Sequence, residues 1–141
     1  MADRKGSATW QGDLFEGSGT VSAATTGLFS DAPVTWAART DDAGGRTSPE
    51  ELLASAHAAC FSMALANEMS SRGTVPTRLE VQATATFEPP KVTKMVLDVR
   101  AEAPGLNDAK LREAVAATEE SCPVSNALRN NVEIEVHADL S

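Results

Sequence analysis

The longest apolar segment of the chain lies between Thr47 and Gly73, where small and hydrophobic residues follow one another almost without interruption. No charged residue occurs from Leu52 to Ala66. A helix that is apolar on nearly every side is typical of a protein interior rather than a surface. The pattern therefore predicts one long buried helix around which the rest of the chain is organised.

Residues that favour helix ends flank this segment on both sides. Ser48 is a good N-cap, and Pro49 suits the first helical position. Glu50 and Glu51 place negative charge at the positive end of the helix dipole, and Glu51 has the capping-box spacing from Ser48. Gly73 can adopt the left-handed conformation that ends a helix.

Regular alternation of apolar and polar residues predicts strands after this helix. One alternating run covers residues 79–87 and a second covers residues 95–101, with Pro89-Pro90 as the turn between them. We expect these two runs to form an antiparallel pair with one solvent-exposed face. A last strand with the same alternation covers residues 132–138.

Before the helix, the β-prone pieces are short and are separated by Gly, Ser, Asp and Pro. They cover Ser7–Gln11, Thr20–Ala24 and Val34–Arg39. The third piece predicts that Arg39 closes a strand, just before a loop that leads into the long helix.

A second helix is predicted to begin after Asn107, which is a good N-cap, and to end near Ser121. Cys122 followed by Pro123 predicts the start of a further short helix that runs to Leu128. The inward face of the second helix is expected to consist of Leu111, Ala114, Val115 and Thr118.

The resulting order, βββ-α-ββ-α-β, predicts a single α+β domain over residues 1–141, with mostly antiparallel sheets around the long central helix. One sheet layer can cover only one side of that helix. A second copy of the chain is the economical cover for the other side. We therefore predict an obligate homodimer whose central helices share one core.

The charge balance narrows the classes of function. The 20 acidic residues outnumber the 12 basic ones, which gives a net charge of −8 and argues against nucleic-acid binding, since phosphate contacts need clustered Lys and Arg. The N-terminus lacks the apolar core of a signal peptide. The apolar run from Leu52 to Ala66 is shorter than the roughly 20 residues of a membrane span. We expect a soluble, cytoplasmic protein with no membrane partner.

Two cysteines, Cys60 in the middle of the long helix and Cys122 at a helix start, are candidates for redox chemistry. A thiolate that attacks peroxide becomes a sulfenic acid, which a second thiol can trap as a disulfide. Burial of both as small core hydrophobes is about as good an interpretation, and a structural disulfide is less favoured in a reducing compartment. A zinc site with His57 is disfavoured because His137 falls on the polar face of its strand. His57 is expected to pack inside and to hydrogen-bond a neighbour.

Arg39 and Glu50 flank the start of the long helix and form a second candidate pair. The default interpretation is a surface Arg and a Glu that complements the helix dipole. Functionally, Arg39 could lower the pKa of Cys60, and Glu50 could hold Arg39 through a bidentate pair. Because ten residues of helix separate Glu50 from Cys60 by about 15 Å, contribution of the Arg from a partner subunit is the simpler geometry.

The sequence resembles the OsmC/Ohr family of thiol peroxidases at several motifs. The strongest are Ser-Pro-Glu-Glu-Leu-Leu-Ala-Ser-Ala-His-Ala-Ala-Cys-Phe-Ser-Met-Ala-Leu, from Ser48 to Leu65, and Cys-Pro-Val-Ser-Asn, from Cys122 to Asn126. Residues 8–13 and 17–22 fit as well. His57 and the position of Arg39 look more like the OsmC branch than the Ohr branch.

By this resemblance, Cys60 is the peroxidatic cysteine, Cys122 is the resolving cysteine, and Arg39 and Glu50 are the activating pair. The reasoning from the helix dipole alone would instead nominate Cys122 as the more acidic thiol. The resemblance also implies an intertwined homodimer with active sites at the subunit interface. It implies an external dithiol, such as a lipoyl group on another protein, as the reductant.

The expected substrates are alkyl or fatty-acid hydroperoxides rather than hydrogen peroxide, because the surroundings of the thiol are apolar. The residues expected to bind them are Phe61, Met63 and Phe29. No metal or organic cofactor is expected. The alternative is a non-enzymatic dimer that senses oxidants through the same thiols or stores a ligand.

Overall fold

The computed structural model describes all residues from Met1 to Ser141, and they form two compact units, Met1–Leu52 and Leu53–Ser141. The mixed α+β content agrees with the predicted fold class. The elements are, in chain order, β1 (Ser7–Gln11), β2 (Ser18–Ser22), β3 (Ala32–Val34), α1 (Ala37–Thr40), α2 (Pro49–Ser71), β4 (Arg78–Glu88), β5 (Lys91–Glu102), α3 (Asp108–Ser121), α4 (Pro123–Leu128) and β6 (Glu133–Leu140).

The long helix α2 begins and ends where the sequence predicts. The Glu51 N–H donates to Ser48 Oγ at 3.1 Å, which satisfies one of the amide groups left open at a helix start. After the last turn, Gly73 has a φ of +81°, a conformation that a residue with a Cβ rarely adopts. The α2 helix starts in the first unit and continues through the second.

The first unit contains a three-stranded antiparallel sheet in the order β1-β2-β3. The prediction that a strand extends to Arg39 is wrong, because β3 ends at Val34 and residues 37–40 form the helical turn α1. The Ala38 N–H donates to Thr35 Oγ1 at 3.2 Å, so this side chain caps the turn. Alanine and arginine also favour the helical conformation, and this local preference outweighs the weak alternation.

The second unit contains a three-stranded sheet in the order β4-β5-β6. β4 and β5 form the predicted antiparallel pair, with a register shift between Thr86 and Phe87. The sheets are mostly antiparallel, as predicted, and β6 is the exception because it pairs with β5 in parallel. The two helices between them, α3 and α4, form the crossover connection that a parallel pair needs.

The core of the second unit lies between α2, the central strand β5 and α3. The predicted N-cap of α3 is confirmed, since the Lys110 N–H donates to Asn107 Oδ1 at 2.9 Å. The predicted inward face of α3 is confirmed as well, because all four of its residues are buried. The largest fully buried apolar side chains are Phe61, Leu65, Met69, Met95, Leu97 and Leu111.

The α2 helix buries only one face within the chain. On the opposite face Ala56, Ala59 and Met63 are exposed, and Met63 keeps 68% of its accessible surface. The chain thus leaves an apolar stripe of α2 without cover, which is the situation from which a homodimer was predicted. The dimer itself stays a prediction. None of the helices combines the length and the apolar character that crossing a membrane requires.

Candidate active site

The two cysteines lie together in the second unit. Cys60 is in the middle of α2 and half-buried, Cys122 is the N-cap residue of α4 and completely buried, and neither is in a disulfide. The two thiols are hydrogen-bonded to each other, and the backbone of Val124 makes a further hydrogen bond to the Cys60 sulfur. The short helix α4 therefore presents both a thiol and a backbone N–H to Cys60.

The environment of Cys60 in this unit favours the neutral thiol. Burial raises the pKa of Cys60, the Val124 N–H lowers it, and the adjacent Cys122 raises it again, with an upward net effect. Burial raises it because a thiolate loses the solvation that water would give it. A reactive thiolate at Cys60 therefore calls for a positive charge in addition to the Val124 N–H.

The first unit holds Arg39 and Glu50 in the bidentate pair that the sequence suggests. Arg39 Nη2 donates to Glu50 Oε1 at 2.6 Å, and Arg39 Nε lies 3.1 and 3.2 Å from the two carboxylate oxygens. The guanidinium also lies over the ring of Trp36, 5.4 Å from its centroid. The segment that joins β3 to α2 is closed at its base, because the Thr47 N–H donates to the Pro33 carbonyl at 3.0 Å.

The guanidinium is thus oriented from two sides, by a carboxylate and by an aromatic ring. The Glu50 side chain is 8% exposed and that of Arg39 is 27% exposed, so the pair is only partly screened by water. Arg39 also lines an apolar cleft of about 290 Å³ in this unit. The other lining residues are Trp10, Leu14, Val34, Thr35, Trp36 and Pro49.

The three residues expected to contact substrate differ in exposure. Phe61 is completely buried and belongs to the core cluster against which Cys60 packs. Met63 is on the uncovered face of α2, and Phe29 is 38% exposed in the loop between β2 and β3. Only Met63 and Phe29 therefore offer apolar surface that lies open in the single chain.

His57 is completely buried one turn before Cys60. Its Nε2 is 2.8 Å from Ser125 Oγ, as the sequence analysis expected of a packed histidine with a hydrogen-bonded neighbour. Its Nδ1 has no hydrogen-bond partner. Burial lowers the pKa of His57, since a charged imidazolium would lose its hydration. The Phe61 ring meets the imidazole edge-on at 6.5 Å between centroids.

Sequence reasoning missed three contributors to these clusters. Ser125 belongs to the second cysteine motif and lies one turn after Cys122 in the predicted short helix, but a serine there does not by itself indicate a buried partner. Trp36 was missed because residues 34–39 were interpreted as a strand, which would put Trp36 and Arg39 on opposite faces. The Val124 N–H has no side-chain signal.

No three His, Cys, Asp or Glu side chains converge to form a group that could hold a metal ion. The combination of His57, Cys60 and Cys122, which the sequence analysis considered for zinc, is among those that do not qualify. What the geometry does offer is a hydrogen-bonded pair of thiols in the second unit and an oriented guanidinium in the first.

Comparison with known proteins identifies several relatives. Residues 41–137 match the family model described as OsmC-like protein. The chain is 32% identical over 136 residues to the peroxiredoxin OsmC of Escherichia coli strain K12, and the match covers 94% of each protein.

Among solved structures, the chain resembles an organic hydroperoxide resistance protein OsmC from Legionella pneumophila, with a TM-score of 0.69, 26% identity and 99% of each chain covered. It also resembles the organic hydroperoxide resistance protein OhrB of Bacillus subtilis, with a TM-score of 0.74 and 24% identity over 96% of this chain and 98% of the other. The second likeness concerns the fold alone.

Proposed function

This chain belongs to the OsmC-like protein family, and from that premise we propose that it is a cysteine-based peroxidase that reduces organic hydroperoxides. Relatives bear the names peroxiredoxin and organic hydroperoxide resistance protein, which supports a role in peroxide defence. The single observation that carries the proposal is the hydrogen-bonded pair of free thiols, Cys60 and Cys122.

The first step is attack of the Cys60 thiolate on the terminal oxygen of the hydroperoxide. An S–O bond forms, the O–O bond breaks, and the alkoxide leaves as an alcohol after taking up a proton. Cys60 is oxidised to a sulfenic acid, and the hydroperoxide is reduced. The guanidinium of Arg39 stabilises the thiolate before the attack and the developing alkoxide during it.

The second step joins the two cysteines. The Cys122 sulfur attacks the sulfenic acid, an S–S bond forms, the S–O bond breaks, and the hydroxyl leaves as water with the proton of the Cys122 thiol. An external dithiol, such as a lipoyl group on another protein, then reduces the disulfide by thiol–disulfide exchange. Cys60 and Cys122 thereby return to their starting state.

Arg39 is proposed to act on Cys60 within a homodimer, held by Glu50 in the bidentate pair. The helix from Glu50 to Cys60 is continuous, so the two side chains are separated by about 15 Å of helical rise. An Arg39 from the partner subunit avoids this separation. The uncovered apolar face of α2 supports the dimer, since such stripes mark interaction surfaces in soluble proteins.

Alkyl and fatty-acid hydroperoxides are the proposed substrate class. Met63 and Phe29 offer exposed apolar surface for a hydrocarbon chain, and Phe61 supports the thiol from within the core. Two free cysteines also suit a reducing compartment, for which we propose the cytoplasm, in a response to oxidative or osmotic stress.

The test is stopped-flow oxidation of the reduced protein by cumene hydroperoxide and by hydrogen peroxide, followed by intact-mass detection of an intramolecular disulfide. We expect faster reaction with the organic hydroperoxide and repeated turnover with dihydrolipoamide. A thiol of ordinary pKa with no catalytic consumption of peroxide would support the rival function, a non-enzymatic oxidant sensor or ligand-binding dimer.

A further inference from the structure

His57 is an energetically unfavourable residue at its position. It is completely buried, and its Nδ1 has no hydrogen-bond partner. A buried polar atom without a partner destabilises a fold, and an apolar side chain of similar size would avoid this cost. Packing alone therefore does not account for a histidine here.

The one polar contact that His57 makes joins the two elements that carry the cysteines. His57 is on α2, one turn before Cys60, whereas Ser125 is on α4, one turn after Cys122. The hydrogen bond between them, at 2.8 Å, is inaccessible to water because Ser125 is only 1% exposed. The edge-on contact with Phe61 further restricts the orientation of the imidazole.

Apart from the hydrogen bonds that Cys122 and the Val124 N–H make to Cys60, two side-chain hydrogen bonds of this region tie α4 to α3. Asn126 Nδ2 donates to the Glu120 carbonyl at 3.0 Å, and Arg129 Nη2 donates to the Glu119 carbonyl at 2.5 Å. These contacts fix the corner between α3 and α4. Ser121 at this corner also hydrogen-bonds to Glu68 of α2, about two turns beyond Cys60, whereas His57 and Ser125 make their contact one turn from each cysteine.

We propose that the His57–Ser125 hydrogen bond is a positioning clamp that holds the first turn of α4 against α2, so that Cys122 meets Cys60. This inference rests on the proposed function for its role in the reaction, where His57 and Ser125 take no part in bond making. The clamp serves the step in which the Cys122 sulfur displaces the hydroxyl of the Cys60 sulfenic acid as water. It lowers the entropic cost of bringing the two sulfur atoms together in the reactive geometry.

The experiment follows two readouts in the reduced protein. The first is the rate of disulfide formation after one equivalent of cumene hydroperoxide has oxidised Cys60. The second needs no peroxide and is the equilibrium between dithiol and disulfide protein in dithiothreitol redox buffers. The variants are His57→Leu, Ser125→Ala, the double variant and His57→Gln, whose amide can reach Ser125 Oγ.

We expect His57→Leu and Ser125→Ala each to lower the disulfide-forming rate and the equilibrium constant by about tenfold, which is the worth of one buried hydrogen bond. The double variant should lose no more than either single variant, since both remove the same contact. His57→Gln should restore most of the loss. The matched control is Ser62→Ala, because Ser62 Oγ bonds only to the Ala59 carbonyl of its own helix and should leave both readouts unchanged.

Folding is checked by circular dichroism, and His57→Gln with Ser125→Ala keeps the test valid if His57→Leu does not fold. Unchanged rates and equilibria in folded variants, or additive losses in the double variant, would overturn the clamp. If the parent protein does not react with hydroperoxide, the proposed function fails instead. The redox equilibrium would still decide the clamp in that case.

Discussion

At the residue scale, the Cys60 thiolate needs a nearby positive charge, and Arg39 is the candidate to supply it. Burial raises the pKa of the Cys60 thiol, and the Val124 N–H compensates for only part of this effect within the second unit. Arg39 carries a guanidinium that is held in a fixed orientation by Glu50 and Trp36. If Arg39 acts on Cys60 as proposed, its charge would be less screened by water at the partly buried sulfur than in a surface pair.

Replacement of Arg39 tests whether this charge activates the thiol. We expect Arg39→Ala to slow Cys60 oxidation roughly a hundredfold, as loss of one preorganised donor does. Arg39→Lys should recover only part of the rate, because an ammonium cannot form the bidentate pair with Glu50 or stack on Trp36 in the same way. The measurement is stopped-flow oxidation by cumene hydroperoxide. An unaltered rate in folded Arg39→Ala protein would assign the activation to another group.

Replacement of Cys122 separates the two redox steps. Cys122→Ser should reduce one equivalent of hydroperoxide and then stop at the Cys60 sulfenic acid, because no second thiol is available to condense with it. Cys60→Ser should show no peroxide reduction at all. Intact mass after reaction, with trapping of the sulfenic acid by a dimedone reagent, distinguishes the two. Normal cycling of Cys122→Ser with dihydrolipoamide would refute the resolving role.

The sequence pointed to these candidate side chains more readily than to the groups that contact them. Cys60, Cys122 and Glu50 stand in motifs, and Arg39 lies just before the long helix, so their residue types and places suggest roles that remain predictions. Ser125 and Trp36 do not, because a serine or a tryptophan gains its role from the neighbour it meets in three dimensions. The Val124 N–H is a backbone group that any residue except proline would supply.

At the element scale, the start of α3 depends on one side chain. Asn107 Oδ1 accepts from the Lys110 N–H, which would otherwise lack an intrahelical partner. We expect Asn107→Ala to lower the free energy of unfolding by about 1 kcal/mol and Asn107→Asp to preserve it, because a carboxylate accepts the same bond. Urea denaturation followed by circular dichroism measures both. Equal stability of the alanine variant would mean that water caps this helix equally well.

The parallel strands β5 and β6 are joined on their exposed face by His137. Its Nε2 is 2.6 Å from Glu135 Oε1, and its Nδ1 is 3.1 Å from Asp98 Oδ1 on β5. The Glu135 carboxylate, and then Asp98, raise the pKa of His137 above its ordinary value of 6.5. The contacts of protonated His137 with Glu135 and Asp98 therefore stabilise the folded protein. This contribution is fully present below pH 6.5 and is lost as pH rises through the higher pKa of His137 in the folded state.

The His137→Gln variant isolates this effect. The melting temperature of the parent protein should exceed that of His137→Gln at pH 5.5, and the difference should disappear at pH 9, where the imidazole is neutral. Differential scanning calorimetry across this range gives the comparison. Since the side chains are exposed, 0.5 M salt should reduce the difference at pH 5.5. A difference that is independent of pH would point to packing rather than charge.

The elements whose signals are local were predicted well, whereas no prediction could be made for the direction of β6. α2 has an N-cap, a terminal glycine and a continuous apolar run, and α3 has Asn107 and a periodic inward face. β6 shows the same alternation whether it runs parallel or antiparallel to β5, so the sequence pattern of that strand contains no information on direction. The short helix α1 was missed because four residues are too few to establish a helical period.

At the scale of the whole molecule, the same long helix gave both the fold and the expectation of a partner. Apolar residues all round α2 exceed what one sheet and α3 can cover. Ala56, Ala59 and Met63 accordingly remain exposed in the single chain. An apolar pattern predicts that these residues are buried, but it does not identify the surface that buries them.

The dimer can be tested on Met63, which is 68% exposed on the uncovered face of α2. If a second copy covers this face, Met63→Glu places an unpaired charge in an apolar interface, at a cost of roughly 3–5 kcal/mol. The dissociation constant of the dimer should then rise at least a hundredfold, by about tenfold for each 1.4 kcal/mol. Sedimentation equilibrium over a range of protein concentrations measures it directly.

Val75→Glu is the matched control, because Val75 is 69% exposed but lies beyond the end of α2. It adds the same charge at the same degree of exposure, so it separates an effect of the α2 face from a general effect of net charge. Peroxide reduction should fall with dimer content in Met63→Glu and not in Val75→Glu, because Arg39 of one subunit would no longer reach Cys60 of the other. It should recover at protein concentrations that restore the Met63→Glu dimer, which loss of a substrate contact at Met63 would not allow. A parent protein that sediments as a monomer at every concentration would refute both the dimer and the activation of Cys60 across its interface.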